Sequence, residues 1–270
     1  MDPVVLIGIG LAMGVFGGML GIGGSLVMIP ALVLFYGEDQ HLYQSASMIC
    51  NVFVALASII GHRKAGTLVP AVLRRMIPAA MIGIVLGVAL SNVPFFAGRN
   101  SYLLARLFGA YLAAVAIYNT ARMFATPMPS VNGSDPDAYQ TPVLKGIATG
   151  IGAITGLAAG LLGIGAGSVA TPAQQFFLRL PLKRAMSNSA SVIVGIAWIG
   201  AIYKTATLPR HGIAVSESLF IAACIIPTAL LGGFLGGHLM HLMHRHVVRG
   251  LFVAVCLAGA WRLLTVPPGG

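Results

Sequence analysis

Long apolar runs alternate with short polar breaks along the chain, at residues 3–36, 42–61, 68–91, 102–124, 143–178, 185–204, 214–239 and 247–266. A helix rising about 1.5 Å per residue needs roughly 20 apolar residues to cross a hydrocarbon core of about 30 Å. Six of the runs have that length. The first and fifth hold about 35 residues each, which as one helix would reach roughly 50 Å. The pattern therefore predicts that each folds as two helical pieces joined by a hinge, either a re-entrant hairpin or two short spans. A polar stretch at 126–142 predicts a linker between residues 1–125 and 143–270.

The hinges are visible as a motif written twice, 142 residues apart. Gly14-x3-Gly18-x2-Gly21-Ile22-Gly23-x6-Pro30 recurs as Gly156-x3-Gly160-x2-Gly163-Ile164-Gly165-x6-Pro172. Glycine at nearly every position costs about 1 kcal/mol per residue in a helix interior and favours a turn. At membrane depth a broken helix must be buried in protein or line an aqueous cavity. The likeness continues past the motif: Ala46-Ser47 stands opposite Asn188-Ser189, and Pro78-x4-Gly83-x3-Gly87 answers Pro227-x4-Gly232-x3-Gly236. The later glycine pairs have the small-xxx-small spacing of close helix packing. A hairpin plus three spanning helices per half gives an odd number of crossings, so the fold class expected is an all-α polytopic membrane protein built as two inverted repeats.

Composition agrees, with 57% hydrophobic and 8% charged residues and a mean hydropathy of +0.91. The formal charge of +10 comes from 16 Lys and Arg residues concentrated in the breaks, which suits membrane orientation and not nucleic-acid binding. Eight simple crossings would divide these cations nine to seven between the two sides. With both long runs returning to their entry side, Arg63, Lys64, Arg74, Arg75, Arg122, Lys145, Arg179, Lys183, Arg184, Arg245 and Arg249 gather on one side, eleven to five. The hairpin arrangement fits the positive-inside bias better and places both termini outside. The opening Met1-Asp2-Pro3 lacks a basic leader before the apolar stretch, so the first run is expected to remain in the mature chain.

The candidate chemistry follows from the hinges. A helix restarting after each turn has N–H groups without intrahelical partners and the positive end of its dipole, together a ready oxyanion site. Gly21, Gly23, Gly24 and Ser25 in the first half, with Gly163, Gly165, Gly167 and Ser168 in the second, are the expected substrate-binding hinges, Ser25 and Ser168 serving as helix caps. Ser47, Asn51, Asn188 and Ser189 on the following helices are expected along the substrate path, the competing role being hydrogen bonding between helices. Arg63 and Lys204 end two runs, as interfacial anchors or as electropositive funnels at opposite mouths.

No metal or cofactor site is expected. His238, His241, His244 and His246 stand without a carboxylate or cysteine partner and read as an interfacial collar. Cys50, Cys224 and Cys256 read as small buried hydrophobes. All six carboxylates sit in loops or near helix ends, which argues against a carboxylate-based cation relay. No phosphate-binding loop, nucleophile elbow or zinc-protease helix occurs, so no enzyme is expected. The alternative is an integral-membrane enzyme or accessory subunit.

The segments GGMLGIGGSLVMIP and AGLLGIGAGSVATP, in a small chain of two related halves, resemble the sulfite exporter TauE/SafE family over most of its length. The resemblance implies a secondary transporter of the bacterial inner membrane that moves sulfite, sulfoacetate or related organosulfur anions. The residues themselves point only to a small anion held between opposed hinge tips near the midplane, with the halves rocking around it. The partners expected are that anion and the lipid bilayer, a homodimer being the one protein assembly left open.

Overall fold

The computed structural model describes residues 1–20, 24–64, 68–96, 98–124, 141–242 and 245–267. Among these no strand occurs, and ten α-helices account for almost everything: α1 Pro3–Leu20, α2 Ser25–Tyr36, α3 Gln40–Lys64, α4 Pro70–Ser91, α5 Ser101–Phe124, α6 Pro142–Leu162, α7 Gly167–Phe177, α8 Leu182–Thr207, α9 Val215–Leu242 and α10 Arg245–Leu264. Both long apolar runs are broken. The first becomes α1 and α2 with Gly24 at the restart, and the second becomes α6 and α7 around residues 163–166. The arms are unequal, since α2 and α7 have 12 and 11 residues and reach only about 17–18 Å, roughly half a hydrocarbon core. Gly21 and Gly23, like most of the linker at 126–142, lie outside the described residues.

Among the described residues, five helical segments are long and apolar enough to cross a membrane: Pro70–Ser91, Ser101–Met123, Pro142–Leu162, Leu182–His211 and Val215–Gly236. Exposed Ile82, Ile117, Ile154, Ile202, Phe234 and Trp261 cover the outer surface with apolar groups, as a lipid-facing wall requires. The protein is a multi-pass membrane protein.

Packing respects the sequence repeat while exchanging partners between halves. The first arm α1 lies along α9, and its counterpart α6 lies along α4. Glycine makes these contacts. A Cβ at Gly14 would meet the backbone of Ala229 and Gly233, and one at Gly156 would meet the backbone of Ala80. Gly83 and Gly87 abut α6, as Gly232 and Gly236 abut α1. In the repeated motif Gly14 and Gly18 with Gly156 and Gly160 serve helix packing, and in the second half residues 163–166 form the break.

The same contacts fix direction. Gly10, Gly14 and Gly18 meet residues 225, 229 and 233 in ascending order, so α1 and α9 run parallel; Gly152, Gly156 and Gly160 climb Met76, Ala80 and Ile84 likewise. Two pairs of helices equivalent by the repeat run antiparallel. Arg106 donates to the Val266 carbonyl while Gly109 meets Leu263, which opposes α5 to α10; His41 meets Lys204 while Met48 meets Gly200, which opposes α3 to α8. Two apolar cores result, one among α1, α2, α5, α9 and α10, the other among α4, α6, α7 and α8, with α3 contributing to both.

Candidate functional site

The second hinge sits between the cores, and Gly163 sets its geometry. It ends α6 with φ +73° and ψ 13°, a left-handed conformation natural to glycine. Its N–H returns to the Ala159 carbonyl at 2.9 Å. A side chain there would also collide with α3, since a Cβ would lie 2.8 Å from the Gln44 Cα.

First-half residues close around this turn. Ser47 donates its hydroxyl to the Gly163 carbonyl at 2.8 Å, and Gln44 Nε2 donates to the Leu161 carbonyl at 2.8 Å. The Gly165 N–H donates to Ser25 Oγ at 2.7 Å, so the restart of the first hairpin touches the turn of the second. Tyr111 from α5 donates to Ser168 Oγ at 2.7 Å, and Ser168 donates onward to the Gly165 carbonyl at 3.0 Å. Gly24 is pressed against Met13 of α1. Ser25, Ser47 and Ser168 are all buried.

The capping role expected for Ser25 and Ser168 is not what they do. The residues preceding α2 and α7 are Gly24 and Ala166, neither bonded through a side chain, and the first N–H groups fold back onto Gly24 and Ala166 carbonyls. The caps thus fall one residue before Ser25 and two before Ser168, which releases the serine hydroxyls for contacts with Gly165 and Tyr111.

Asn188 and Ser189 form a second buried cluster, between α7 and α8. Ser189 Oγ accepts from Thr171 and from Gln174 Nε2, and Asn188 Nδ2 donates to Gln174 Oε1 while its Oδ1 accepts from the Val69 N–H at 2.9 Å. Asn51 is buried on α3 one turn beyond Ser47. Gly167 opens α7 and is buried. Ser45, on another face of α3, bonds Thr205 and Ser218 instead. The expected residues therefore separate into a hinge group and an α7–α8 group.

Lys204 is neither anchor nor open mouth, because it is 0% exposed. Its Nζ donates to His41 Nδ1 at 2.8 Å, Ser91 Oγ at 2.9 Å and Asn92 Oδ1 at 3.1 Å. The proton arrangement follows from partners that can only accept. His41 Nε2 faces the Phe96 carbonyl at 3.0 Å and so carries hydrogen, leaving Nδ1 as the acceptor. Asn92 Nδ2 faces the Val88 carbonyl at 2.9 Å, which fixes Oδ1 toward Lys204 and His211. The two imidazoles stack with centroids 3.8 Å apart. Three neutral acceptors match the three N–H of an ammonium group. The side chains of Arg63 and of His238, His241, His244 and His246 lie outside what is described.

Sequence reasoning missed Gln44, Tyr111, Gln174, His41, Ser91 and Asn92. Gln44 had a legible signal: Gln40, Gln44, Ser47 and Asn51 recur at i, i+4, i+7 and i+11, a polar stripe along an otherwise apolar helix. A cleft of about 340 Å³ lined by Met1, Ser216, Glu217, Phe220 and Ile221 opens at the start of α9 and includes no hinge residue.

Comparison with known proteins places this architecture. The family model described as "Sulfite exporter TauE/SafE" matches residues 6–263. The chain is 26% identical to a "Probable membrane transporter protein MamO" of Paramagnetospirillum magneticum over 98% of its own length and 45% of the relative's. It is 25% identical to "Probable membrane transporter protein YunE" of Bacillus subtilis, over 92% of both chains. A "Probable membrane transporter protein" of Xylella fastidiosa strain 9a5c is 29% identical, over 96% of this chain and 95% of that one. The chain thus spans less than half of the MamO proteins and nearly all of the others. No solved structure matches.

Proposed function

Because the chain belongs to the sulfite exporter TauE/SafE family, a family of membrane transporters, we propose that it carries small sulfur-containing anions, such as sulfite, sulfoacetate or related organosulfonates, across a bacterial inner membrane. The anion is held between the two glycine hinges near the midplane. The observation that carries this reading is the 2.7 Å contact between Ser25 Oγ and the Gly165 N–H, which joins the restart of one hairpin to the turn of the other. A hydroxyl oxygen there occupies the position an oxyanion oxygen would take at a main-chain donor. Substrate entry exchanges one oxygen for the other, with no buried arginine required.

The halves form an inverted repeat with both termini on the periplasmic side. The antiparallel courses of α3 against α8 and of α5 against α10 support the inversion, since equivalent helices oppose each other only when the relating axis lies across the bundle, and the side of the termini follows from the positive-inside bias. The test is flux of labelled sulfite and sulfoacetate in proteoliposomes. Wild-type protein moves at least one of them, and a Gly23→Leu/Gly165→Leu double variant that still folds does not. Equal movement by both proteins removes the hinges from the transport path.

A further inference from the structure

The stripe on α3 continues outward from the second hinge and ends in groups that have not found partners. Gln40, Gln44 and Ser47 are each 0% exposed and share one helix face. Gln44 and Ser47 both bond the second hinge, so that face looks toward it. Among the described residues, Gln40 Nε2, Gln40 Oε1 and Gln44 Oε1 are buried without a hydrogen-bond partner. Buried amide groups are rarely left so in native proteins, and each carries its full desolvation cost. Three such atoms within one helical turn mark a place for a polar guest.

The identity of each atom is determined. The Leu161 carbonyl can only accept, so the Gln44 atom facing it is the nitrogen and the orphan is the carbonyl oxygen. Gln40 leaves both amide ends unpartnered, so either orientation offers a donor and an acceptor. A guest must therefore accept from an amide N–H and donate to at least one carbonyl oxygen. A fully ionised oxyanion only accepts, and would set its lone pairs against those of Gln44. A cation only donates, and would leave the Gln40 N–H groups bare. His41, next to Gln40, bonds Lys204 at the outer end of the stripe, where the Asp39 carboxylate also acts on that group, so the guest's negative charge is taken from the hinge-site reading and not from this end.

Resting on the hinge-site reading above, we propose that Gln40 and Gln44 bind a singly protonated oxyanion, HO–XO₂⁻ in form, one turn outside the second hinge, and that the hydrogen-bearing monoanion is the transported species. The pair has no counterpart in the second half, where the repeat puts Leu182 and Met186. Selection on the O–H accordingly happens on one side only.

Hydrogen sulfite and methanesulfinate provide the test, because both are pyramidal monoanions and the second replaces the hydroxyl with methyl. In proteoliposomes of the full chain, wild type moves hydrogen sulfite at least about tenfold faster than methanesulfinate, the scale set by stranding a buried acceptor. Its sulfite flux falls with the hydrogen sulfite fraction as pH rises. Gln40→Met removes no hydrogen bond made within the protein, so it folds with undiminished thermal stability while its preference collapses toward one. A wild-type ratio near one, or an unchanged ratio in Gln40→Met, overturns the proposal while leaving the hinge reading intact. If wild type moves neither anion and no sulfoacetate, the hinge reading fails and this inference with it.

Discussion

Gly163→Ala and Gly212→Ala make a matched pair from which the worth of the hinge contact can be extracted. The two glycines share a backbone conformation, φ/ψ of 73°/13° and 75°/14°. Placing a Cβ in that left-handed region costs about 1–2 kcal/mol. At Gly212 nothing lies within 4 Å of the added carbon, so strain is the whole effect. At Gly163 the carbon would stand 2.8 Å from the Gln44 Cα and 2.8 Å from its Cγ, and backbone cannot yield as a side chain end can. The separation of α3 from the turn that relieves this stretches the Ser47–Gly163 and Gln44–Leu161 hydrogen bonds, both 2.8 Å. Each is worth about 0.5–1.5 kcal/mol net. Gly163→Ala should therefore cost roughly 1–3 kcal/mol beyond Gly212→Ala, or about 2–5 °C in Tm for a chain of this size. Thermal unfolding of both variants in detergent measures the difference directly. Coincident Tm values would refute the account of α3 as braced against the hinge.

Ser25→Ala strands the Gly165 N–H and should lower stability by about 1–3 kcal/mol; by freeing the proposed anion position it should tighten anion binding, measured by isothermal titration with sulfite. Lys204→Met leaves His41 Nδ1 without its donor and Asn92 Oδ1 with His211 alone, and should cost a comparable amount, about 1–3 kcal/mol, in the same unfolding assay. The loop carboxylates Glu38 and Asp39 are held above the usual carboxylate range, chiefly by burial, against the opposing hydrogen bonds from Ser101 and from the Leu42 N–H. The folded state thus binds these protons more tightly than the unfolded state. Their contribution is most favourable below ordinary carboxylate pKa values and declines as pH rises through the raised ones. A Glu38→Gln/Asp39→Asn variant should flatten Tm against pH in that window; an unchanged slope would show that other groups set it.

How much was legible differs between the helices and the site. The apolar runs and glycine clusters located both breaks and four of the five segments long enough to cross, Pro142–Leu162 having been expected as a hairpin arm, because a bilayer imposes length and permits few irregularities. Helix partners were not legible: Gly14 and Gly156 announce close approach without saying to what. The serine caps were misread because a sequence shows only local competition for a helix start, whereas Ser25 bonds the Gly165 N–H and Ser168 accepts from Tyr111, groups that only the fold brings near. Lys204 looked interfacial because it stands near the end of an apolar run. Its burial depends on Ser91 and Asn92, more than a hundred residues earlier. Gln44 was within reach, given Ser47 and Asn51 on the same face, had the stripe been followed toward the start of α3.

The exchanged pairing of α1 with α9 and of α6 with α4 bears on how the chain is assembled. The glycine-lined face of α1 waits for a partner that begins at Val215, about two hundred residues later in synthesis. The α6 face, by contrast, finds α4 already made. The second half is thus delivered onto a waiting surface, while the first must persist in the bilayer with its most closely fitting face uncovered. Cut at the linker and made alone, the first half has no native seat for its opening helix; supplied with the second half as a separate chain, it has one.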